Sequence, residues 1–100
     1  MIYITQFIYL KPGKEAIFQA FENHAIPLME KYTGKIVQRL RPDATAYVAG
    51  EDKKPYEIHI VSFESEDKLN EFMNDNSRLK YKHLKDESVE SILMFKGEKM

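Results

Sequence analysis

Two kinds of periodicity alternate along this chain, and their order limits the folds that it can adopt. Four segments repeat apolar side chains at every second position, as β-strands do: residues 2–10, 35–41, 56–63 and 89–96. Two segments repeat them every three or four positions, as amphipathic helices do, the first between Gly13 and Gly34 and the second between Ser65 and Leu84. Residues 74–77 break the second segment, and another helical turn or two is expected after them. The order strand, helix, strand, strand, helix, strand predicts a ferredoxin-like βαββαβ fold of the α+β class.

This order also predicts the arrangement of the strands. Right-handed crossover connections place the first and third strands side by side in the centre of a four-stranded antiparallel sheet, with both helices on one face. A chain of 100 residues is the length of one domain. We therefore expect a single domain over residues 1–96, followed by a frayed tail at residues 97–100.

Three positions mark where the helices bend, end and begin. Pro27 removes a backbone hydrogen bond inside the first helix, so a kink is expected there. Thr33 and Gly34 predict a left-handed cap at the end of that helix, with Gly34 as the left-handed residue. Ser65 is a good N-cap for the second helix, and the acidic residues that follow it complement the helix dipole.

The segment between the second and third strands carries turn signals at both ends. Pro42 cannot donate a hydrogen bond to a β-ladder, so the second strand is expected near a sheet edge. Residues 44–49 are expected to continue that strand past a bend, and the polar residues 50–55 then form a turn. The sequence thus predicts a hairpin whose first arm is long and irregular.

The composition argues against several classes of protein. The chain has no Cys, hence no disulfide framework, thiolate nucleophile or Cys-based metal site, which suits a reducing cytoplasm. No segment approaches the roughly 18 consecutive apolar residues of a membrane helix, and the apolar start lacks the basic residues and cleavage site of a signal peptide. A net charge of −1 gives no long-range attraction for nucleic acid or anionic membranes. We expect a cytoplasmic protein without those partners.

Both faces of the predicted sheet are apolar. One set of residues is assigned to the face beneath the helices: Ile2, Ile4, Ile8, Ile58, Ile60, Ile92 and Met94. The other set would then point away from the helices: Tyr3, Phe7, Tyr9, Val37, Val61, Phe63, Leu93 and Phe95. Such a surface is more apolar than monomers usually expose. Because a twofold interface needs only a self-complementary surface, we predict a homodimer joined through this sheet face.

Four short segments carry a resemblance to known proteins. They are residues 9–14 (YLKPGK), 25–34 (AIPLMEKYTG), 61–65 (VSFES) and 77–84 (SRLKYKHL). Through them, nearly the whole chain resembles the dimeric α/β-barrel superfamily, and within it small uncharacterised domains related to antibiotic-biosynthesis monooxygenases. The resemblance implies a barrel built by two subunits, with one cavity per subunit between sheet and helices. For some relatives it implies cofactor-independent oxygenation of polycyclic phenols or degradation of haem, by analogy of fold.

His59, in the middle of the third strand, is the candidate catalytic residue. A histidine can act as a general base near neutral pH. In a parallel central strand pair it would lie near Tyr3 or Thr5, and Tyr3 or Arg39 would bind a phenolate or carboxylate. The alternative is a hydrogen-bonded histidine in the dimer interface. No two histidines have the i, i+4 spacing of metal ligands, and neither a metal nor another cofactor is expected.

Arg39 and Arg41 lie on one face of the second strand. Their guanidinium groups could pair with the carboxylate or phosphate of a ligand. The alternative is a salt bridge with Glu57 or with acidic residues of the partner subunit. The candidate ligand-binding residues are therefore Tyr3, Thr5, Arg39 and Glu57.

Three functions are compatible with the sequence. The first is a homodimeric α/β-barrel domain that binds a small aromatic or carboxylate ligand. The second is a cofactor-independent monooxygenase or isomerase with His59 as base, and the third is a purely structural or regulatory association module. An enzyme should lose turnover in His59→Gln, a binding module should be stabilised by its ligand, and an association module should show neither effect.

Overall fold

A four-stranded antiparallel sheet with helices on one face organises the chain, and the computed structural model describes residues 1–100. The strands are β1 (Ile2–Leu10), β2 (Lys35–Leu40), β3 (Glu57–Phe63) and β4 (Val89–Gly97). Their order across the sheet is β2-β3-β1-β4, with every neighbouring pair antiparallel. The ferredoxin-like α+β fold predicted from the element order is therefore confirmed, as are the central positions of β1 and β3.

The break predicted at residues 74–77 of the second helical region is confirmed, and a second break follows at Tyr81. Helix α1 (Glu15–Met29) continues as a 3-10 turn at Glu30–Tyr32, and the second predicted helix divides into α2 (Glu66–Met73), α3 (Asn76–Lys80) and α4 (Lys82–Ser88). The division follows from Asp75, whose side chain accepts hydrogen bonds from the backbone N–H groups of Ser77 and Arg78 and so starts a new helix. Ser65 caps α2 as predicted, accepting a hydrogen bond from the Lys68 N–H at 3.2 Å. No helix is long and apolar enough to span a membrane.

The end of the first helical segment corrects the predicted cap. Helix α1 runs past Pro27 and tightens into the 3-10 turn, and the left-handed residue that follows is Thr33, with φ of 62°, rather than Gly34. Glycine is needed at position 34 because the backbone there lies very close to Phe63 and Met29. A Cβ atom at this position would lie 2.6 Å from Cε1 of Phe63 and 2.8 Å from Cβ of Met29. The absence of a side chain therefore lets the end of α1 pack directly against β3.

Residues 41–56 connect β2 to β3 without forming a strand. The predicted continuation of β2 at residues 44–49 is therefore wrong. After Pro42, the carboxylate of Asp43 accepts hydrogen bonds from the backbone N–H and the hydroxyl of Thr45, both at 2.9 Å. This local bonding offers the backbone a turn in place of a ladder. Strand β2 lies at the sheet edge, as predicted.

Strand pairing also corrects the predicted faces of β3. Val61 lies opposite Ile4 and Glu57 lies opposite Ile8, so β3 turns its odd-numbered residues toward the helices. The buried residues of the two central strands on that face are Ile4, Ile8, Glu57, His59, Val61 and Phe63. The assignment of Ile58 and Ile60 to the helix-covered face, and of Val61 and Phe63 to the other, is therefore wrong. Ile4 and Ile8 are assigned correctly.

The surroundings of His59 differ from the prediction for a related reason. Because β1 and β3 run antiparallel, the residue opposite His59 is Gln6. The expectation that His59 lies beside Tyr3 or Thr5, which assumed a parallel pair, is wrong. His59 instead faces the helices, next to the main apolar core, which is formed by Ile4, Phe21, Ala25, Met29, Val61, Phe63 and Phe72.

Candidate functional site

A cavity of about 260 Å³ lies between the helix-covered face of the sheet and the helices. Fifteen of its 21 lining residues are hydrophobic. The polar and charged side chains in its wall are Gln6, Glu22, His59, Asn70, Arg78 and Lys85. An apolar cavity with a few convergent polar groups is the usual form of a small-molecule site. The chemistry of this one depends on how those polar groups are paired.

Glu57 is the centre of a hydrogen-bonded network next to the cavity. Only 1% of this residue is exposed, yet Arg39 donates to it from Nε at 2.9 Å, Gln19 donates from Nε2 at 3.1 Å, and Arg41 adds a further ion pair. Burial raises the pKa of Glu57, but the hydrogen bonds from Arg39, Arg41 and His59 outweigh burial and hold this pKa at about 2. Glu57 is therefore a carboxylate at neutral pH.

His59 is held by that carboxylate. Its Nε2 lies 2.7 Å from Oε1 of Glu57, and because an ionised carboxylate only accepts hydrogen bonds, Nε2 must carry the proton. Burial lowers the pKa of His59 below 6.5, and the hydrogen bond with Glu57 offsets this only in part. The ring is thus neutral at pH 7. Its Nδ1 makes no hydrogen bond with the protein and keeps a lone pair that can accept a proton.

Glu22 is a second buried carboxyl group, and the sequence reasoning missed it. It lies on α1, 8% exposed, and forms no hydrogen bond or ion pair. Burial raises its pKa to about 7, against the opposing effect of the charge on Arg39. Near neutral pH this carboxyl group can therefore either donate or accept a proton. The available signal was its position within an apolar helical stripe, between Phe21 and Ala25.

Arg78 is a buried cation that the sequence reasoning also missed. It is 7% exposed, on α3, and its guanidinium carbon lies 5.8 Å from the ring centre of Phe21 and 5.3 Å from that of Phe72. Nη1 donates a long hydrogen bond, 3.4 Å, to the carbonyl of Met73, while Nε is buried without an acceptor. Burial lowers the pKa of Arg78, and the charge of Glu22 opposes that effect. Arg78 therefore has unused donors at the cavity wall.

The structure brings three of the sequence-predicted site residues together and separates two. His59, Glu57 and Arg39 form one cluster on the helix-covered side, and the Arg39–Glu57 salt bridge is the alternative that the sequence had left open. Tyr3 and Thr5 flank the buried Ile4, so their side chains lie on the opposite face of the sheet. They cannot contact a molecule in the cavity. Among the described residues, no group of three or more His, Cys, Asp or Glu side chains is arranged to hold a metal ion.

The fold and the cavity place the chain among small ferredoxin-like α+β domains with a space between sheet and helices. No model of a known protein family matches the sequence, and no curated protein matches it. Solved structures do match. A protein of unknown function from Rhodopseudomonas palustris is 15% identical with a TM-score of 0.85, over 99% of this chain and 82% of that chain.

Two further structures are similar in fold. A NIPSNAP family protein with unknown function from Agrobacterium tumefaciens is 19% identical with a TM-score of 0.69, over 97% of this chain and 86% of that chain. A dimeric protein of unknown function with a ferredoxin-like fold from Bacteroides fragilis is 12% identical with a TM-score of 0.67, over 97% of this chain and 94% of that chain. These likenesses show the ferredoxin-like fold expected from the sequence, and membership of the dimeric α/β-barrel superfamily stays a prediction. None of them links the chain to antibiotic-biosynthesis monooxygenases, so that part of the resemblance stays a prediction.

Proposed function

We propose that this protein binds a small aromatic or carboxylate ligand in the cavity between its sheet and its helices. The observation that carries the proposal is a mainly apolar cavity whose wall includes two buried ionisable side chains with unused hydrogen-bonding groups. Glu22 forms no hydrogen bond or ion pair, and Arg78 forms one long hydrogen bond, to the carbonyl of Met73. Buried polar groups in folded proteins are normally hydrogen-bonded. Unused donors and acceptors beside an open space are therefore better explained by a ligand than by a structural role.

Filling the cavity tests this proposal. Ala25 lies in the cavity wall on α1, so Ala25→Leu should occupy part of the space, whereas Ala16 is exposed on the same helix and Ala16→Leu is the matched control. The probe is 2-naphthoate, and the readout is the melting temperature. At a probe concentration of ten times Kd, the unmodified protein and the control should gain about 1.4 kcal/mol of stability, or roughly 5–10 °C.

Two results would count against ligand binding in the cavity. One is the absence of any thermal shift in the unmodified protein at millimolar 2-naphthoate. The other is an equal shift in Ala25→Leu, since the probe would then bind elsewhere. A dimer that shows no such binding would instead match the third function, an association module.

A second candidate function is proton transfer, as in a cofactor-independent monooxygenase or isomerase with His59 as base. The observation that favours it is the carboxylate of Glu57 at 2.7 Å from Nε2, which orients the ring and would stabilise it after Nδ1 takes up a proton. His59→Gln should then abolish turnover of a substrate while the protein remains folded and keeps its affinity for ligands. Retained turnover in this variant would exclude His59 as the base.

We infer in addition that two copies associate through the sheet face that the helices leave uncovered. Leu93 and Phe95 are each about half exposed on this face, and the rings of Phe7 and Phe95 pack edge to face with their centres 6.4 Å apart. The corrected pairing adds Ile58 and Ile60 to the same surface. A contiguous apolar patch of this kind usually marks an interface, and a structural neighbour of the same fold is dimeric.

The association can be tested by light scattering in dilute solution. Phe95→Glu places a charge in the proposed interface and should convert the dimer to a monomer. Val48→Glu is the control, because Val48 is 96% exposed and lies outside the sheet, so this variant should stay dimeric. A monomeric mass for the unmodified protein would refute the association.

A further inference from the structure

We propose that the cavity selects ligands that carry a carboxylate group, which Glu22 and Arg78 bind together, Glu22 by donating a proton and Arg78 by donating N–H groups. The inference rests on the proposed function, since it names the chemical class of ligand that the same cavity takes. Three features support it: the balance of charge in the cavity wall, the unused donors of Arg78, and the unpaired carboxyl group of Glu22.

The cavity wall carries uncompensated positive charge. Arg78 on α3 and Lys85 on α4 both line the cavity, and neither forms an ion pair. The acidic group in the wall is Glu22, whose charge is suppressed by burial. Glu57 cannot neutralise this positive charge, because its carboxylate is already paired with Arg39 and Arg41. Since a buried charge is costly without a partner, this surplus favours an anionic ligand.

Arg78 is fixed in place but underused as a donor. Packing against Phe21 and Phe72 restricts the guanidinium plane, and the bond from Nη1 to Met73 engages one of its five N–H groups. Nε–H has no acceptor in the protein. Because Nε is itself inaccessible, the donors left for a ligand are the unused N–H groups of Nη1 and Nη2, and such a pair matches the two oxygens of a carboxylate. The side chain is therefore suited to recognise that group in particular.

Glu22 determines how such binding depends on pH. Two carboxyl groups in one apolar site cannot both be ionised easily, so Glu22 and the ligand must share one proton. The charged groups that act on Glu22 are Arg39 on β2, Glu57 on β3, Arg78 on α3 and Lys85 on α4. His59 also lies in the cavity wall. Because burial raises the pKa of Glu22 to about 7, carboxylate affinity should fall about tenfold per pH unit above pH 7.

The test compares two probes of similar shape, 2-naphthoate and 2-methylnaphthalene, by titration between pH 6 and pH 9. In the unmodified protein 2-naphthoate should bind at least tenfold more tightly at pH 6, and this advantage should fall about a hundredfold between pH 6 and pH 9. In Glu22→Gln the amide donates at every pH, so the advantage should persist across the range. Arg78→Met should lose the advantage and keep its affinity for 2-methylnaphthalene.

The control and the contrary outcomes separate this inference from the proposed function. Glu15→Gln, on the exposed side of the same helix, should behave as the unmodified protein does. Equal affinity for the two probes at pH 6 would overturn carboxylate selection and leave ligand binding intact. The same pH dependence in Glu22→Gln would assign the titration to Lys85 or His59 and refute the role of Glu22. Binding of neither probe would defeat the proposed function, and this inference with it.

Discussion

Glu22→Gln should change the pH dependence of the stability of this protein. In the folded state burial raises the pKa of Glu22 from 4.5 to about 7, and no hydrogen bond compensates for burial of the charge. Between these two pH values the folded chain holds a proton that the unfolded chain releases. The stability that the neutral Glu22 contributes is therefore fully present below pH 4.5 and is lost as the pH rises to about 7.

The size of the effect follows from the width of that window. Each pH unit within it lowers the free energy of unfolding by about 1.4 kcal/mol, so the interval from 4.5 to about 7 amounts to about 3 kcal/mol. Gln has the shape of the protonated carboxyl group and never ionises. Glu22→Gln should thus match the unmodified protein near pH 4.5 and exceed its stability by about 3 kcal/mol at pH 8.

Urea unfolding at half-unit steps from pH 4.5 to pH 8 measures this difference directly. Other titrating groups around Glu22, including His59 and Glu57, are present in both proteins and largely cancel in the comparison. Glu15→Gln, on the exposed side of α1, should differ from the unmodified protein by only a few tenths of a kcal/mol throughout this range. If the difference between Glu22→Gln and the unmodified protein is constant across the range, Glu22 does not titrate with a raised pKa and the reasoning fails.

Two further substitutions test the packing and the buried ion network. Gly34→Ala should lower the free energy of unfolding by roughly 1–3 kcal/mol, because the added methyl group meets the Phe63 ring. Gly97→Ala is the control, since no atom lies within 4 Å of the added group, and it should lower the same quantity by less than 1 kcal/mol. Equal losses of stability in thermal unfolding would contradict this reasoning. Glu57→Gln should cost about 2–3 kcal/mol at pH 7. Since the pKa of Glu57 is lowered to about 2, the loss of stability in Glu57→Gln should shrink as the pH falls from 4.5 toward 2. Urea unfolding measures this loss, and a value that stays constant over the range would exclude an ionised Glu57.

Much of the fold could be predicted because its signals are local. The strands follow from alternation along the chain, and the start of α2 follows from Ser65, whose hydroxyl bonds to a backbone N–H three residues away. The faces of β3 could not be predicted in this way. Both Ile58 and Val61 are apolar, so the alternation of apolar residues along the strand does not show which of them faces the helices. Glu57 could be buried only because arginines distant in sequence neutralise it.

The candidate site was less accessible from the sequence. Glu22 could have been recognised, since an acidic residue interrupts the apolar stripe of α1. Arg78 could not, because its burial depends on how α3 packs against Phe21 of α1 and Phe72 of α2. The cavity itself results from imperfect packing of these helices on the sheet. The periodicity of apolar residues shows which faces pack together but not whether a space remains between them. Sequence patterns thus identified His59 as a candidate but not the groups that share its cavity.

The close approach at Gly34 also limits the size of the cavity between the sheet and the helices. Both residues that a side chain there would displace, Met29 and Phe63, belong to the cavity wall. A larger residue at this position would push the end of α1 away from β3 and widen the space between them. The length of the cavity is therefore controlled from a position without a side chain. Replacing Gly34 would thus change the volume of the cavity without changing the polar groups in its wall.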